Sequence, residues 1–338
     1  MRQLLDDLLA GTDLSAAAAD ELLVTLTGGE VDPAMAGALL IALRAKGETP
    51  DEVRGFAAAM RRLSSDPGID SSEAVDVVGT GGDRSGSLNL STGAALLTAA
   101  AGVPVVKHGN RSMTSQSGSA DILEAIGLPI PLDADQARRC FETLGFTFLF
   151  APHYHPAMAA VGPIRRALGV RTVFNMLGPL TNPAGPRHLV VGAFDARAAE
   201  LMAVALSGLE IERAFVLHGA AGWDEPSPIG EFLLYDVRPG SVVRTSRDPA
   251  DLGMDRCDPS SLAGGDPAHN AGKLTAVFAG ETGPHRDSIL LGAALALEVT
   301  GWAPDPGTAV AMAGSALDDG RAMALLKALA AFGARERS

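Results

Sequence analysis

Apolar and polar positions change rhythm along this chain, and the two rhythms predict different architectures. The first 65 residues alternate apolar stretches with helix-capping signals. Ser15 stands where it would cap a helix that runs to Gly28. Asp32-Pro33 opens another, with Gly47 past its end, the proline-first and glycine-last asymmetry of helices. Thr49-Pro50-Asp51-Glu52 fits a capping box with proline at the first helical position, leading into apolar 56–63. Ser64-Ser65-Asp66-Pro67-Gly68 is a turn-rich break. We therefore expect a helical domain over 1–70, with helices near 155–182 as candidates to pack with it, and a second domain over 71–338.

From Glu73 onward short β-branched runs alternate with helical patterns. Residues 74–78, 103–106, 147–150, 189–191 and 214–217 read as strands, and 94–101, 195–206 and 288–299 as helices. Residues 171–184 read as an apolar helix ended by Gly-Pro, and 238–271, rich in Pro, Gly, Asp and Ser, as loops with short pieces of structure. Alternation of this kind predicts an α/β fold with a mostly parallel central sheet, whose strand ends are where ligands bind.

Composition narrows the function. The 338 residues are 47% hydrophobic and 20% charged, ordinary for a globular protein, with a net charge of −13. Lys and Arg number 27 against 40 Asp and Glu, which counts against nonspecific binding to nucleic acid or anionic membrane. Cys140 and Cys257 have no metal-like spacing and indicate no disulfide framework. Acidic Asp6 and Asp7 sit where a signal peptide keeps its apolar stretch, and no apolar run approaches the ~20 residues of a membrane span. A cytoplasmic enzyme is the expectation.

The candidate chemistry lies just after the strands. Gly79-Thr80-Gly81-Gly82-Asp83 follows one strand, and Asn89-Leu90-Ser91-Thr92 opens the next helix, so backbone N–H groups and a helix N-terminus converge as an anion site. The pattern is neither the dinucleotide nor the P-loop signature. Lys107-His108-Gly109-Asn110-Arg111 and the hydroxyl-rich residues after it read either as a solvated loop or as a diphosphate cradle, in which Lys107 and Arg111 supply charge. Asp224 and Glu225 are either solvated or Mg²⁺ partners, since magnesium takes one or two carboxylates and completes its shell with water and phosphate oxygens. His153 and His155 lack the partners of a metal site. Arg165 and Arg166, adjacent on a helix, cannot share a face.

Together Gly79 to Asp83, Asn89 to Thr92, Lys107 to Arg111, Gly118-Ser119-Ala120-Asp121, His155-Pro156-Ala157-Met158 and Arg171 to Ala184 resemble the anthranilate phosphoribosyltransferase family in kind and order, over nearly the whole chain. The resemblance implies a small N-terminal helical domain plus a larger α/β domain of the nucleoside phosphorylase/phosphoribosyltransferase-like type, a homodimer, and Mg²⁺-dependent use of 5-phosphoribosyl 1-diphosphate (PRPP). By motif position, Gly79, Gly82, Asp83, Ser87, Asn89, Leu90, Ser91, Thr92, Lys107, His108, Gly109, Asn110, Arg111, Ser112, Met113, Thr114, Ser115 and Ser119 would hold PRPP. Ser91, Asp224 and Glu225 would meet the metal. Gly79, Asn110 and Arg165 would contact anthranilate, Arg165 facing its carboxylate.

Displacement of diphosphate from the sugar C1 passes through an oxocarbenium-like state, which calls for charge neutralisation and positioning. The aromatic amine is already neutral, so no catalytic acid or base is nominated, His108 being the candidate proton acceptor. The chain departs from the family at Ala221, where Asp is usual, at Trp223 and Pro226 in the same loop, and at Gly292, where Asn is expected. Two alternatives are a pyrimidine-nucleoside phosphorylase and a non-catalytic nucleic-acid-binding relative.

Overall fold

In the computed structural model, which describes residues 1–112 and 116–337, the chain opens with four helices, α1 (Arg2–Leu9), α2 (Ala16–Thr27), α3 (Pro33–Lys46) and α4 (Pro50–Arg62). Their boundaries follow the sequence signals. The Ser15 hydroxyl accepts from Ala18 N, and Asp32 accepts from Ala34 N and Met35 N. Thr49 and Glu52 complete a reciprocal capping box, and Gly47 closes α3 at φ +91°. Glu52, fully buried, also pairs with Lys46 at 3.1 Å and accepts from Leu14 N at 2.8 Å, which locks the bundle at one end.

The rest is an α/β unit. In chain order come β1 (Val75–Gly79), α5 (Leu90–Ala101), β2 (Val105–Gly109), α6 (Ser119–Ile126), α7 (Ala134–Leu144), β3 (Phe146–Phe150), α8 (Ala151–Tyr154), α9 (Met158–Leu168), α10 (Phe174–Leu177), β4 (His188–Gly192), α11 (Ala196–Ser207), β5 (Arg213–His218), β6 (Phe232–Arg238), β7 (Ser241–Arg247), α12 (Pro267–Phe278), α13 (Pro284–Val299), α14 (Pro306–Asp318) and α15 (Arg321–Glu336). The sheet order is β3-β2-β1-β4-β5-β6-β7, parallel through β5 and antiparallel beyond it. Strand order reverses between β1 and β4, and the crevice outside the C-terminal ends of such strands is the usual ligand site of an open α/β sheet.

Two expectations fail locally. Residues 171–184 do not form one helix: α10 is a single turn, followed by a 3₁₀ turn at Gly178–Leu180. The Asn175 side chain accepts from Thr172 N, Pro179 has no N–H to continue the ladder, and the Asn182 side chain takes Ala184 N. Residues 238–271 are not only loops, because β7 pairs antiparallel with β6 across the Pro239-Gly240 turn. As an edge strand largely open to solvent, β7 shows none of the apolar alternation that marks a strand in sequence.

Two buried cores lie on opposite faces of the sheet. One gathers α5, α13, α14 and α15. The other joins the N-terminal helices, α9 to α11 and the facing sheet residues, so that Leu22, Leu39 and Phe56 share a core with Val191 and Val216.

Candidate active site

A cleft of about 1010 Å³ opens at the β1/β4 reversal. Its geometry depends on what three strand ends leave out. A Cβ on Gly79 would collide with the Asp224 carboxylate, one on Gly192 with the Asp224 carbonyl, and one on Gly219 with the Glu225 carbonyl. Glycine at the ends of β1 and β4 and just beyond β5 therefore lets the 219–225 loop lie directly across the sheet. The loop closes on itself through Gly219 N donating to Trp223 O at 2.8 Å.

That loop holds its carboxylates against the glycine-rich turn. Asp224, 7% exposed, accepts from Gly81 N at 2.6 Å. Glu225 accepts from Ser91 N at 3.1 Å, at the N-terminus of α5. Burial first, then the neighbouring Asp83, push the Asp224 carboxyl up to about 7. Burial and Asp224 push Glu225 up to about 8. Neither carboxylate has a Lys or Arg in salt-bridge contact among the described residues, and a cation would favour the charged forms that burial and mutual repulsion disfavour. No set of three or more His, Cys, Asp or Glu side chains that could hold a metal occurs among the described residues, which excludes a closed protein cage and suits an ion that shares its shell with phosphate and water.

Lys107, 1% exposed at the base of the cleft, donates to Val77 O and lies 3.5 Å from Ser91 Oγ. Burial lowers its pKa, opposed by the charges of Asp76, Glu225 and Asp224. His108 is buried beside it, its Nδ1 3.1 Å from Gly178 O. A carbonyl only accepts, so Nδ1 carries the hydrogen and Nε2, which has no partner among the described residues, presents a lone pair. Burial pushes His108 down to about 3 and its ring neighbour His155, 5.1 Å away, down to about 4. Such an imidazole is too weakly basic to serve as a general base near neutral pH.

Arg165, on α9, lies 5.3 Å above the Phe174 ring, which packs edge-on against Phe56 of α4 at 6.0 Å. It makes no ion pair among the described residues, and burial lowers its pKa. A guanidinium held over a ring and left without a carboxylate is prepared for one from a ligand.

Gly79, Gly82, Asp83, Ser87, Asn89, Ser91, Lys107, His108, Gly109, Asn110, Arg111, Ser112, Ser119, Arg165, Asp224 and Glu225 all line this cleft, whereas Met113, Thr114 and Ser115 lie outside the described residues. Leu90 and Thr92 do not line it: both side chains are buried beneath α5, because successive helical positions turn away from the cleft. Arg111 reaches the rim, but its guanidinium is held by Asp121 at 2.8 Å and Glu124 at 2.5 Å on α6, so its charge is not turned on the glycine-rich turn. Four contributors went unforeseen. Gly264 and Gly265 line the cleft with Asn270, from a stretch read as loop, and Arg171 donates to Gly82 O while stacking 4.0 Å over Phe194. Asp266-Pro267 was the available signal, a cap and first residue that place Asn270 in the first turn of α12.

Ala221 adopts φ +59°, a left-handed conformation. For a residue with a Cβ this costs about 1–2 kcal/mol. Ala221→Gly is expected to stabilise the protein by about 1 kcal/mol, part of the relief being offset by glycine's greater unfolded-state freedom. Urea unfolding checks it, and a loss of stability would show the loop to be unstrained.

The fold and cleft define a glycosyl transferase. The helical bundle domain of the glycosyl transferase family matches residues 2–64, and the a/b domain of that family matches residues 71–323. A curated relative from Desulforudis audaxviator, named anthranilate phosphoribosyltransferase, is 47% identical over 98% of this chain and 96% of its own length. The crystal structure of anthranilate phosphoribosyltransferase from Thermus thermophilus matches with a TM-score of 0.91 at 41% identity, covering 98% of this chain and 99% of that one. The Saccharomyces cerevisiae enzyme in complex with PRPP and Mg matches at 0.88 and 25% identity, with 98% and 97% covered. The chain belongs to the anthranilate phosphoribosyltransferase family.

Proposed function

We propose that this protein transfers the phosphoribosyl group of PRPP to the amine of anthranilate, giving N-(5-phosphoribosyl)anthranilate and diphosphate in tryptophan biosynthesis. The observation that carries the assignment is one cleft holding the glycine-rich turn, buried Lys107, the Asp224–Glu225 pair and an unpaired Arg165.

In this assignment the C1–O bond to diphosphate breaks as the amine nitrogen bonds to C1, and the amine's proton passes to solvent or product. Backbone N–H groups around Gly79 to Asp83 and the Lys107 ammonium take up the charge gathering on diphosphate. Asp224, Glu225 and Ser91 would hold Mg²⁺, which supplies further neutralisation of the diphosphate. His108 belongs to the PRPP side of the cleft, Arg165 orients the anthranilate carboxylate, and Gly79 and Asn110 complete its surroundings.

The Arg165 role is checked by following anthranilate fluorescence. Arg165→Ala should raise the anthranilate KM about 10–100-fold, the worth of one charge-assisted pair, with the KM for PRPP within about threefold. No fluorescence loss by the unaltered protein with PRPP and Mg²⁺ present would sink the assignment. We also take the protein to be a homodimer, as the family resemblance implies. Cytoplasmic placement accords with two free cysteines, Cys140 and Cys257.

A further inference from the structure

Asn89 and Asn270 stand 181 residues apart in sequence, yet they form consecutive links of one hydrogen-bond chain. Gly265 N donates to Asn270 Oδ1 at 2.7 Å, and Asn270 Nδ2 donates to Asn89 Oδ1 at 2.9 Å. Asn89 Nδ2 then donates to Ser117 O at 3.0 Å, while Ser117 Oγ donates back to Asn89 Oδ1 at 3.1 Å. Both ends of the chain are backbone groups with a single possible role. A backbone N–H only donates and a carbonyl only accepts, so each carboxamide between them has one orientation.

The result is unusual for a residue at the start of a helix. Asn89 is the N-cap of α5, but its side chain makes no capping bond. Its carboxamide oxygen is saturated by Asn270 and Ser117, and its nitrogen keeps a second N–H with no partner among the described residues. Asn89 and Asn270 both line the cleft, and Asn270 is 1% exposed. We propose that Asn270 is a positioning residue that fixes Asn89 with its amide N–H, not its carbonyl oxygen, offered to the diphosphate of PRPP. The inference rests on the cleft being the PRPP site.

Reversing the polarity of one link tests it. Asn270→Asp keeps shape and still accepts from Gly265 N, but it has only an acceptor to turn toward Asn89. The carboxylate then faces Asn89 Oδ1, and a flip that relieves this contact turns the Asn89 oxygen both on the Ser117 carbonyl and on the anion. Asn270→Ala deletes the link without reversing it. By calorimetric titration with PRPP and Mg²⁺, affinity should fall about threefold in N270A and at least about tenfold further in N270D, the cost of exchanging a charge-assisted donor for an acceptor. The anthranilate KM should stay within about twofold in both. The added charge of Asp weakens anion binding in its own right, so PRPP affinities within twofold of each other in the two variants would overturn the proposal. If N270D does not fold, N270A decides alone, and unaltered PRPP affinity in it overturns the proposal. Failure of the unaltered protein to bind PRPP would instead remove the site assignment, and the positioning role with it.

Discussion

Asp224→Asn combined with Glu225→Gln should lower Mg²⁺-dependent transfer by about a thousandfold or more, the several kcal/mol that cation neutralisation of a leaving diphosphate supplies. The fold should persist, because Gly81 N and Ser91 N keep oxygen acceptors in both amides. Stability gives a second readout. Both carboxyls are pushed up, Asp224 to about 7 and Glu225 to about 8, above the ordinary carboxyl values near 4. An acid whose folded pKa is raised contributes stability that is complete while it is protonated, below its unfolded pKa, and is lost as pH climbs through the folded value. Without Mg²⁺ the unaltered protein should therefore lose on the order of a few kcal/mol relative to the double variant between pH 4 and pH 8.5. Added Mg²⁺ should restore most of that loss only in the unaltered protein. Thermal midpoints across this range, with and without Mg²⁺, check both statements. Full transfer by the double variant, or a restoration by Mg²⁺ that it shares, would remove these residues from the metal site.

Lys107→Met should lower kcat/KM for PRPP by about 10²–10³-fold, as loss of one buried charge aimed at the leaving group does. The substitution fills nearly the same volume and takes an ammonium out of a site where burial already lowers its pKa. Against that, Val77 O loses its donor, at about 1–3 kcal/mol, so a modest drop in stability is expected. The separating readout is the pH–rate profile. The Lys107 charge holds the Glu225 pKa lower than burial alone would leave it. With that charge gone Glu225 ionises at higher pH, and the rising limb of the residual Mg²⁺-dependent activity moves in the alkaline direction. A profile that falls in height without moving would mean that Lys107 acts on the diphosphate alone and leaves the carboxylates unaffected.

Local signals carried the parts of the site that local chemistry builds. The turn at Gly79 to Asp83 was legible because a strand, positive-φ glycines and a helix start are contiguous. Capping groups at Ser15, Asp32 and Thr49 were legible because each partner lies within three residues. Asn270 was not, since its bond to Asn89 spans most of the chain. The ion pairs of Arg111 were hidden for a related reason. A base after a strand reads as a phosphate ligand, but the fold brings Asp121 and Glu124 of α6 back onto it. Strand β7 escaped because one exposed edge leaves no apolar record, and the helix over 171–184 broke on side-chain-to-backbone bonds that hydrophobicity does not register.

The core that runs unbroken from Leu22, Leu39 and Phe56 to Val191 and Val216 makes the bundle and the sheet one cooperative unit. Cutting the chain between the two family matches would sever a single peptide link and strip an entire apolar face. Damage also travels along that core. A methyl removed from the bundle loosens Phe56, which supports Phe174, over which Arg165 is spread. Under the proposed role of Arg165, acceptor affinity is thereby tied to how firmly a distant cluster of leucines is packed.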